Sequence, residues 1–90
     1  MIIIFDKNKD AINQRKHGVS MALAASIDWS LLLSAEDIRH NYGEVRIIGY
    51  APIGPRIYCV VFTDREHERR IISLRKANSR EVNHYVSKIE

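Results

Sequence analysis

Five short runs of apolar and β-branched residues predict strands. The first is the wholly apolar run at residues 2–5, which is typical of a buried strand. The other four runs lie at residues 29–34, 44–50, 56–63 and 68–75. A loop between the third and fourth runs would contain Pro52, Gly54 and Pro55, because a proline in a loop withholds no donor from the sheet.

Residues that favour helix starts and ends mark two helices between the first two strands. Asp6 is suited to cap a polar helix that runs toward Lys16, because its carboxylate can accept hydrogen bonds from the first turn. Gly18 suits the left-handed position that ends such a helix. Ser20 is suited to cap a second, Ala-rich helix at residues 21–27, which we expect to pack inside.

A third helix is predicted at the end of the chain. Asn78 and Glu81 have the spacing of a capping box, and one apolar helix face follows with Val82, Tyr85, Val86 and Ile89. The predicted order is therefore β-α-α-β-β-β-β-α. Consecutive strands with helices gathered at both ends indicate a single α+β domain over residues 1–90, built around a mainly antiparallel sheet.

The middle strands carry apolar residues on both of their faces. Val45 and Ile47 alternate with Ile48 and Tyr50, and residues 57–62 are apolar throughout. A sheet with one solvent-exposed face would alternate apolar and polar residues. Either helices cover both faces, or a partner protein covers one of them.

The composition is that of a globular protein, with 46% hydrophobic and 28% charged residues and a net charge of +3. Residues 1–55 hold six basic and six acidic side chains, whereas residues 56–90 hold eight basic and five acidic ones. The last third of the chain therefore carries the whole positive excess. This permits a polyanionic partner without proving one.

Neither a disulfide nor a membrane segment is indicated. Cys59 is the only cysteine, and we expect it to be a small buried hydrophobic residue. The apolar run at residues 2–5 is too short for a signal peptide, and no run approaches the length of a membrane span. We therefore expect a cytoplasmic protein that does not bind membranes.

Several basic residues could support cleavage of RNA without a metal ion. Such a reaction needs a base for the 2′-hydroxyl, a cation for the phosphorane and an acid for the leaving oxygen. His17 is the best acid or base candidate, although a histidine at a helix end also interacts favourably with the helix dipole. Arg75 and Lys76 end the last strand, and Arg46 interrupts an apolar strand, where it needs either a carboxylate such as Glu44 or a phosphate.

The motifs of other enzyme classes are absent from the sequence. It contains no phosphate-binding loop, no dinucleotide fingerprint, no HExxH motif and no cluster of cysteine and histidine. We therefore expect no cofactor and no metal.

Two blocks of the sequence resemble the BrnT family of toxins. They are Lys16-His17-Gly18-Val19-Ser20 and Arg70-Ile71-Ile72-Ser73, the second of which is followed by Arg75-Lys76-Ala77. Further positions match in the same order along nearly the whole chain: Phe5, Asp6, Lys9, Asn13, Asp37, His40, Glu44, Arg46, residues 60–63, Glu81 and Tyr85.

The resemblance implies an endoribonuclease toxin of a type II toxin–antitoxin system with a RelE-like fold. It implies RNA cleavage without a metal, arrest of translation, and neutralisation by a BrnA-type antitoxin that carries a ribbon-helix-helix DNA-binding domain. The toxin would contact operator DNA only through this antitoxin, in a heterotetramer. An antitoxin would also account for a sheet that is apolar on both faces.

The resemblance also implies a set of site residues. The expected catalytic residues are Lys16, His17, Arg46, Arg75 and Lys76, and the expected substrate-binding residues are Arg80 and Tyr85. In this assignment Arg75 and Arg46 hold the phosphate, Lys76 steadies its charge and His17 is the acid or base. Two other functions remain compatible with the sequence, namely a nucleic-acid-binding module without activity and a structural subunit bound to a partner.

Overall fold

Five strands form one sheet, and they are β1 Ile2–Ile4, β2 Leu33–Glu36, β3 Ile47–Ile53, β4 Arg56–Arg65 and β5 Glu68–Lys76. The structure is a computed structural model that describes residues 1–89. The strands lie in the order β1-β5-β4-β3-β2. β1 runs parallel to β5, and the other three neighbouring pairs are antiparallel. The prediction of an α+β protein with a mainly antiparallel sheet is confirmed.

Helix α1, Lys7–His17, begins and ends at the predicted residues. The Asp6 carboxylate accepts a hydrogen bond from Lys9 N at 3.0 Å, which satisfies one of the free N–H groups of the first turn. Gly18 ends the helix with φ of +70°, a left-handed conformation that strains any residue with a Cβ atom. Both caps are local features, so the sequence alone could predict them.

Helix α2, Ser79–Ile89, begins at the predicted capping box. Glu81 N donates to Asn78 Oδ1, and Asn78 N donates to Glu81 Oε1, both at 2.9 Å. These reciprocal bonds fix the direction in which α2 leaves β5. No helix within residues 1–89 combines the length and the apolar content that a membrane span requires.

The segment between α1 and β2 forms 3₁₀ helices, which corrects two predictions. The predicted second α-helix is a 3₁₀ helix, Met21–Ser26. The predicted strand at residues 29–34 starts instead with a 3₁₀ turn, Trp29–Leu31, before β2 begins. Asp28 causes this turn, because its Oδ1 accepts a hydrogen bond from Ser30 N at 3.2 Å and redirects the chain.

Strand β3 lies three residues further along the chain than predicted, and it includes Pro52, which was expected in a loop. β2 pairs with β3 only as far as Tyr50, so no strand on that side requires a donor from residue 52. The Pro52 carbonyl instead accepts a hydrogen bond from Asp28 N at 3.1 Å. The proline is therefore compatible with the strand because it lies beyond the end of the neighbouring one.

The core lies on the face of the sheet that packs against the 3₁₀ helix Met21–Ser26. Val60 and Phe62 of β4 and Ile71 and Leu74 of β5 are each 2% exposed or less. Burial of side chains of this size contributes about 1.5–3 kcal/mol each, so this face supplies much of the stability that holds the sheet together.

A β-bulge in β5 decides which of its residues face the core. Ser73 pairs with Val61 and Ile71 pairs with Phe62, so Ile72 has no partner in β4. The extra residue reverses the alternation of β5 at this point. Residues on either side of the bulge can therefore share a face although their separation in sequence is odd.

The opposite face of the sheet carries a row of Tyr50, Cys59 and Arg75, which are paired across β3, β4 and β5. Cys59 is 2% exposed, in agreement with the prediction that it is buried. α2 begins against this row, because Glu81 accepts a hydrogen bond from the Tyr50 hydroxyl at 3.1 Å. Helical segments therefore contact both faces of the sheet.

Candidate active site

The end of α1 is fixed beside β5 by the buried side chain of Asn13. β1 pairs with β5 only up to Arg70, which leaves the backbone of Leu74 at an open edge. Asn13 Nδ2 donates to Leu74 O and to Val19 O, both at 2.8 Å, and Asn13 Oδ1 accepts from Leu74 N at 3.2 Å. The amide thus pairs with the edge of β5 as a strand would, and it holds the last turn of α1 beside this strand.

His17 is the last residue of α1 and is half-buried. Burial lowers its pKa below the ordinary value, and the positive charges of Lys16 and Arg75 lower it further. The imidazole is therefore mainly neutral at pH 7, which is the form that accepts a proton. His17 and Lys16 line a shallow depression of about 190 Å³ together with Ile72 and Ser73 of β5.

Arg75 is held by a bidentate ion pair with Glu81 of α2. Arg75 Nη1 lies 2.8 Å from Glu81 Oε1, and Nη2 lies 2.9 Å from Oε2. The fork lowers the pKa of Glu81 to about 2 and raises that of Arg75. The side chains of Arg75 and Glu81 are 33% and 18% exposed, so the guanidinium is oriented by the protein but still reachable from solvent.

The pair leaves one edge of the Arg75 guanidinium free. Of its five N–H donors, two are used by Glu81, and a second Nη1 hydrogen points to Lys76 O at 3.3 Å. The remaining donors, on Nε and Nη2, point to the same side, and no acceptor within residues 1–89 bonds to Nε. Two parallel donors of this kind match two oxygens of a phosphate. We refer to His17, Tyr50, Arg75 and Glu81 as the Arg75 cluster.

A second group of charged residues surrounds Glu44, and we call Tyr42, Glu44, Arg46 and Arg70 the Glu44 cluster. Arg46 Nε lies 3.1 Å from Glu44 Oε2, and Arg70 Nη2 lies 2.9 Å from Glu44 Oε1. The Arg46 guanidinium also stacks on Tyr42, 4.1 Å from the ring centroid. Glu44, one of the two partners considered for Arg46, therefore pairs with it, and two arginines share one carboxylate.

The two clusters lie on the same face of the sheet but far apart. Arg46 is four residues before Tyr50, which is paired through Cys59 with Arg75. At about 3.3 Å per residue along a strand and about 4.8 Å between strands, the Cα atoms of Arg46 and Arg75 are about 16 Å apart. The structure thus separates the two arginines that the sequence analysis assigned to one phosphate.

The other expected site residues occupy different positions. Lys76 is exposed, and it points to the face opposite Arg75, because neighbouring strand residues alternate. Arg80 is exposed on the first turn of α2, where it lines a depression of about 230 Å³ with Tyr50, Glu81 and His84. Tyr85, the other expected substrate-binding residue, is 1% exposed, and its hydroxyl donates to Leu31 O at 2.6 Å.

Sequence reasoning missed the residues that hold Arg75 in place. Glu81 was identified as half of a capping box and as a position that matches the family, but without a role at the site, and Tyr50 was identified only as an apolar strand residue. The one available signal was that a capping-box glutamate near the end of a strand can reach a basic residue there. As for a metal, no three or more His, Cys, Asp or Glu side chains within residues 1–89 are grouped so that they could hold an ion.

Fold and site together define a small α+β protein that carries the Arg75 cluster and the Glu44 cluster on one face of its sheet. The arginines of these clusters make this surface suited to a polyanion. A family model described as "Ribonuclease toxin, BrnT, of type II toxin-antitoxin system" matches residues 5–81. The chain therefore belongs to the BrnT family of ribonuclease toxins. Membership of a type II toxin–antitoxin family implies an antitoxin partner. A search of curated proteins gave no match.

Proposed function

We propose that this protein is an endoribonuclease toxin that cleaves RNA without a metal ion and thereby arrests translation. The observation that carries the proposal is the Arg75 cluster. It places a guanidinium with two free parallel donors near a half-buried histidine whose pKa is lowered by burial and by Lys16 and Arg75. A neutral base and a fixed cation are the two groups that attack by a 2′-hydroxyl requires.

In the proposed mechanism, neutral His17 takes the proton of the 2′-hydroxyl. The resulting oxygen attacks the adjacent phosphorus, and the bond from phosphorus to the 5′-oxygen breaks. Arg75 donates from Nε and Nη2 to the phosphoryl oxygens, where negative charge develops in the transition state. Lys16 donates a proton from its ammonium group to the leaving 5′-oxygen, and the products are a 2′,3′-cyclic phosphate and a 5′-hydroxyl.

The Glu44 cluster binds the same RNA strand at a more distant phosphate. Arg46 and Arg70 carry two positive charges against the single charge of Glu44, and their side chains are 26% and 47% exposed. Each neutralised phosphate contributes about −0.7 to the slope of log affinity against log salt for single-stranded nucleic acid. The proposal therefore includes binding that weakens strongly as salt increases.

The fold is proposed to be RelE-like, and the antitoxin to be of the BrnA type, with a ribbon-helix-helix domain that alone contacts operator DNA. Toxin and antitoxin would form a heterotetramer in the cytoplasm. Exposed apolar residues support a protein partner: Val86 and Ile89 continue the apolar stripe of α2 and are 38% and 53% exposed.

Incubation of the purified protein with end-labelled RNA in EDTA tests the activity. We expect cleavage in the wild type and a loss of about 10²- to 10³-fold in Arg75→Ala, the range for removal of one donor to a transition-state oxygen. Arg56→Ala is the matched control, because it removes an exposed arginine from the opposite face of the sheet. At matched expression in cells, the wild type and Arg56→Ala should arrest growth, and Arg75→Ala should not.

Two results would contradict the proposal. Wild-type protein that retains RNA in a salt-dependent way but releases it intact would indicate a binding module. Cleavage by Arg75→Ala at the wild-type rate would remove Arg75 from the mechanism.

A further inference from the structure

Glu81 has more hydrogen bonds than a simple surface ion pair would provide. Its Oε1 accepts from Arg75 Nη1 at 2.8 Å and from Asn78 N at 2.9 Å. Its Oε2 accepts from Arg75 Nη2 at 2.9 Å and from the Tyr50 hydroxyl at 3.1 Å. The carboxylate therefore receives four donors, from β3, from β5 and from the turn that precedes α2.

We propose that Glu81 is a positioning residue, which orients the free Nε and Nη2 edge of Arg75 toward the phosphate of the bound RNA. This inference rests on the proposed function, in which Arg75 contacts the phosphate. Glu81 does not itself touch RNA, because its charge repels phosphate and both of its oxygens are already occupied.

The anchors on either side of the carboxylate explain why it can orient a guanidinium. Asn78 N belongs to the backbone at the start of α2, and Tyr50 lies on β3, two strands away from Arg75. A carboxylate held from both sides fixes the plane of the guanidinium paired with it. Without Glu81, Arg75 would keep only the bond from Nη1 to Lys76 O at 3.3 Å, which leaves its side-chain torsions free.

The partial exposure of the pair argues against a purely structural role. The Arg75 side chain is 33% exposed, so solvent screens part of the stabilisation that this ion pair provides. The Glu81 carboxylate accepts four hydrogen bonds, and stabilisation of the fold alone does not require so many at one surface ion pair. These bonds are, however, what precise placement of a long, flexible cation requires, since a displacement of about 1 Å can reduce a rate by about 100-fold.

Glu81→Gln tests the inference with little change in shape. Glutamine also serves at this position of a capping box, so the start of α2 is retained. It lacks the second acceptor, so the bidentate fork is lost. We expect kcat for cleavage of a short RNA to fall by about 100-fold and KM to change by less than about threefold, because the Glu44 cluster still binds the strand.

Glu68→Gln is the matched control. It removes the same charge from an exposed position at the far end of β5, and we expect its kcat and KM to equal those of the wild type. Circular dichroism should show both variants folded. A drop in Glu68→Gln as large as that in Glu81→Gln would mean that net charge matters and not orientation, and it would overturn the inference.

Glu81→Asp separates geometry from charge at the same position. It keeps the negative charge but is one methylene shorter and cannot reach both Nη atoms while bonded to Tyr50. We expect a clear loss of kcat here too, together with faster rotation of the Arg75 guanidinium, measured by NMR of its Nη signals. Wild-type kcat in either Glu81 variant would overturn the inference.

Failure of this inference and failure of the proposed function are distinguishable. If the wild type cleaves RNA, Arg75→Ala does not, and Glu81→Gln cleaves like the wild type, only the role of Glu81 is refuted. If the wild type does not cleave RNA at all, or Arg75→Ala retains full activity, both are refuted.

Discussion

Asn13→Ala should destabilise the protein far more than an ordinary change on a helix surface. Asn13 is 5% exposed and makes three hydrogen bonds to the backbone, one to Val19 and two to Leu74. Alanine leaves two buried carbonyls and one buried N–H without partners, each of which costs about 1–3 kcal/mol. Because water can enter at a strand edge, we take the lower part of this range and expect about 3–4 kcal/mol in total. A domain of this size has only about 5–15 kcal/mol of stability.

Thermal and urea unfolding followed by circular dichroism measure this loss. For a domain of this size each kcal/mol corresponds to about 4–8 °C, so Tm should fall by about 12–30 °C. Asn8→Ala on the same helix is the control, because Asn8 is exposed and its replacement should change stability by less than about 0.5 kcal/mol. If both variants unfold within about 0.5 kcal/mol of each other, the bonds of Asn13 to the edge of β5 do not hold α1 in place.

Two further predictions concern pH. The pKa of His17, lowered by burial and by the charges of Lys16 and Arg75, should rise toward its ordinary value in Arg75→Ala, as NMR titration of the imidazole can show; an unchanged pKa would place Arg75 too far away to act on His17. Folding lowers the pKa of His17, so its contribution to stability is fully present above about pH 6.5. This contribution declines as the pH falls through the lower pKa of the folded state. The pKa of Glu81 falls from 4.5 to about 2 on folding. The contribution of Glu81 to stability is therefore present above about pH 4.5 and is lost as the pH falls toward 2. The difference in urea midpoint between the wild type and Glu81→Gln should therefore shrink across this range, and a constant difference would contradict the assignment.

The parts of the fold that depend on neighbouring residues could be predicted from the sequence. The caps at Asp6, Gly18 and Asn78 all involve bonds to residues at most four positions away, so the residue types alone indicate them. Pro52 was misplaced because its tolerance in β3 depends on where β2 stops pairing. That is a property of the sheet and not of the local sequence.

The candidate site was harder to predict because contacts between distant segments create it. His17 and Arg75 were both identified from the sequence, but the charge of Arg75 acts on His17 in a fold where Asn13 anchors α1 to Leu74, 61 residues away. No spacing in the sequence indicates this contact. Glu81, six residues after Arg75, was recognised as a cap and not as a partner, because the fold between β5 and α2 determines which side chain it meets.

The β-bulge at Ile72 gives the two arginine clusters a common face. Arg70 and Arg75 are five residues apart, so in a regular strand they would point to opposite faces. Their partners in β4 are Thr63 and Cys59, which are four residues apart and therefore share a face. The single extra residue in β5 thus turns Arg70 to the side of Arg75. Bulges commonly re-aim side chains in this way beside active sites, and in the proposed function the common face would let one RNA strand contact both clusters.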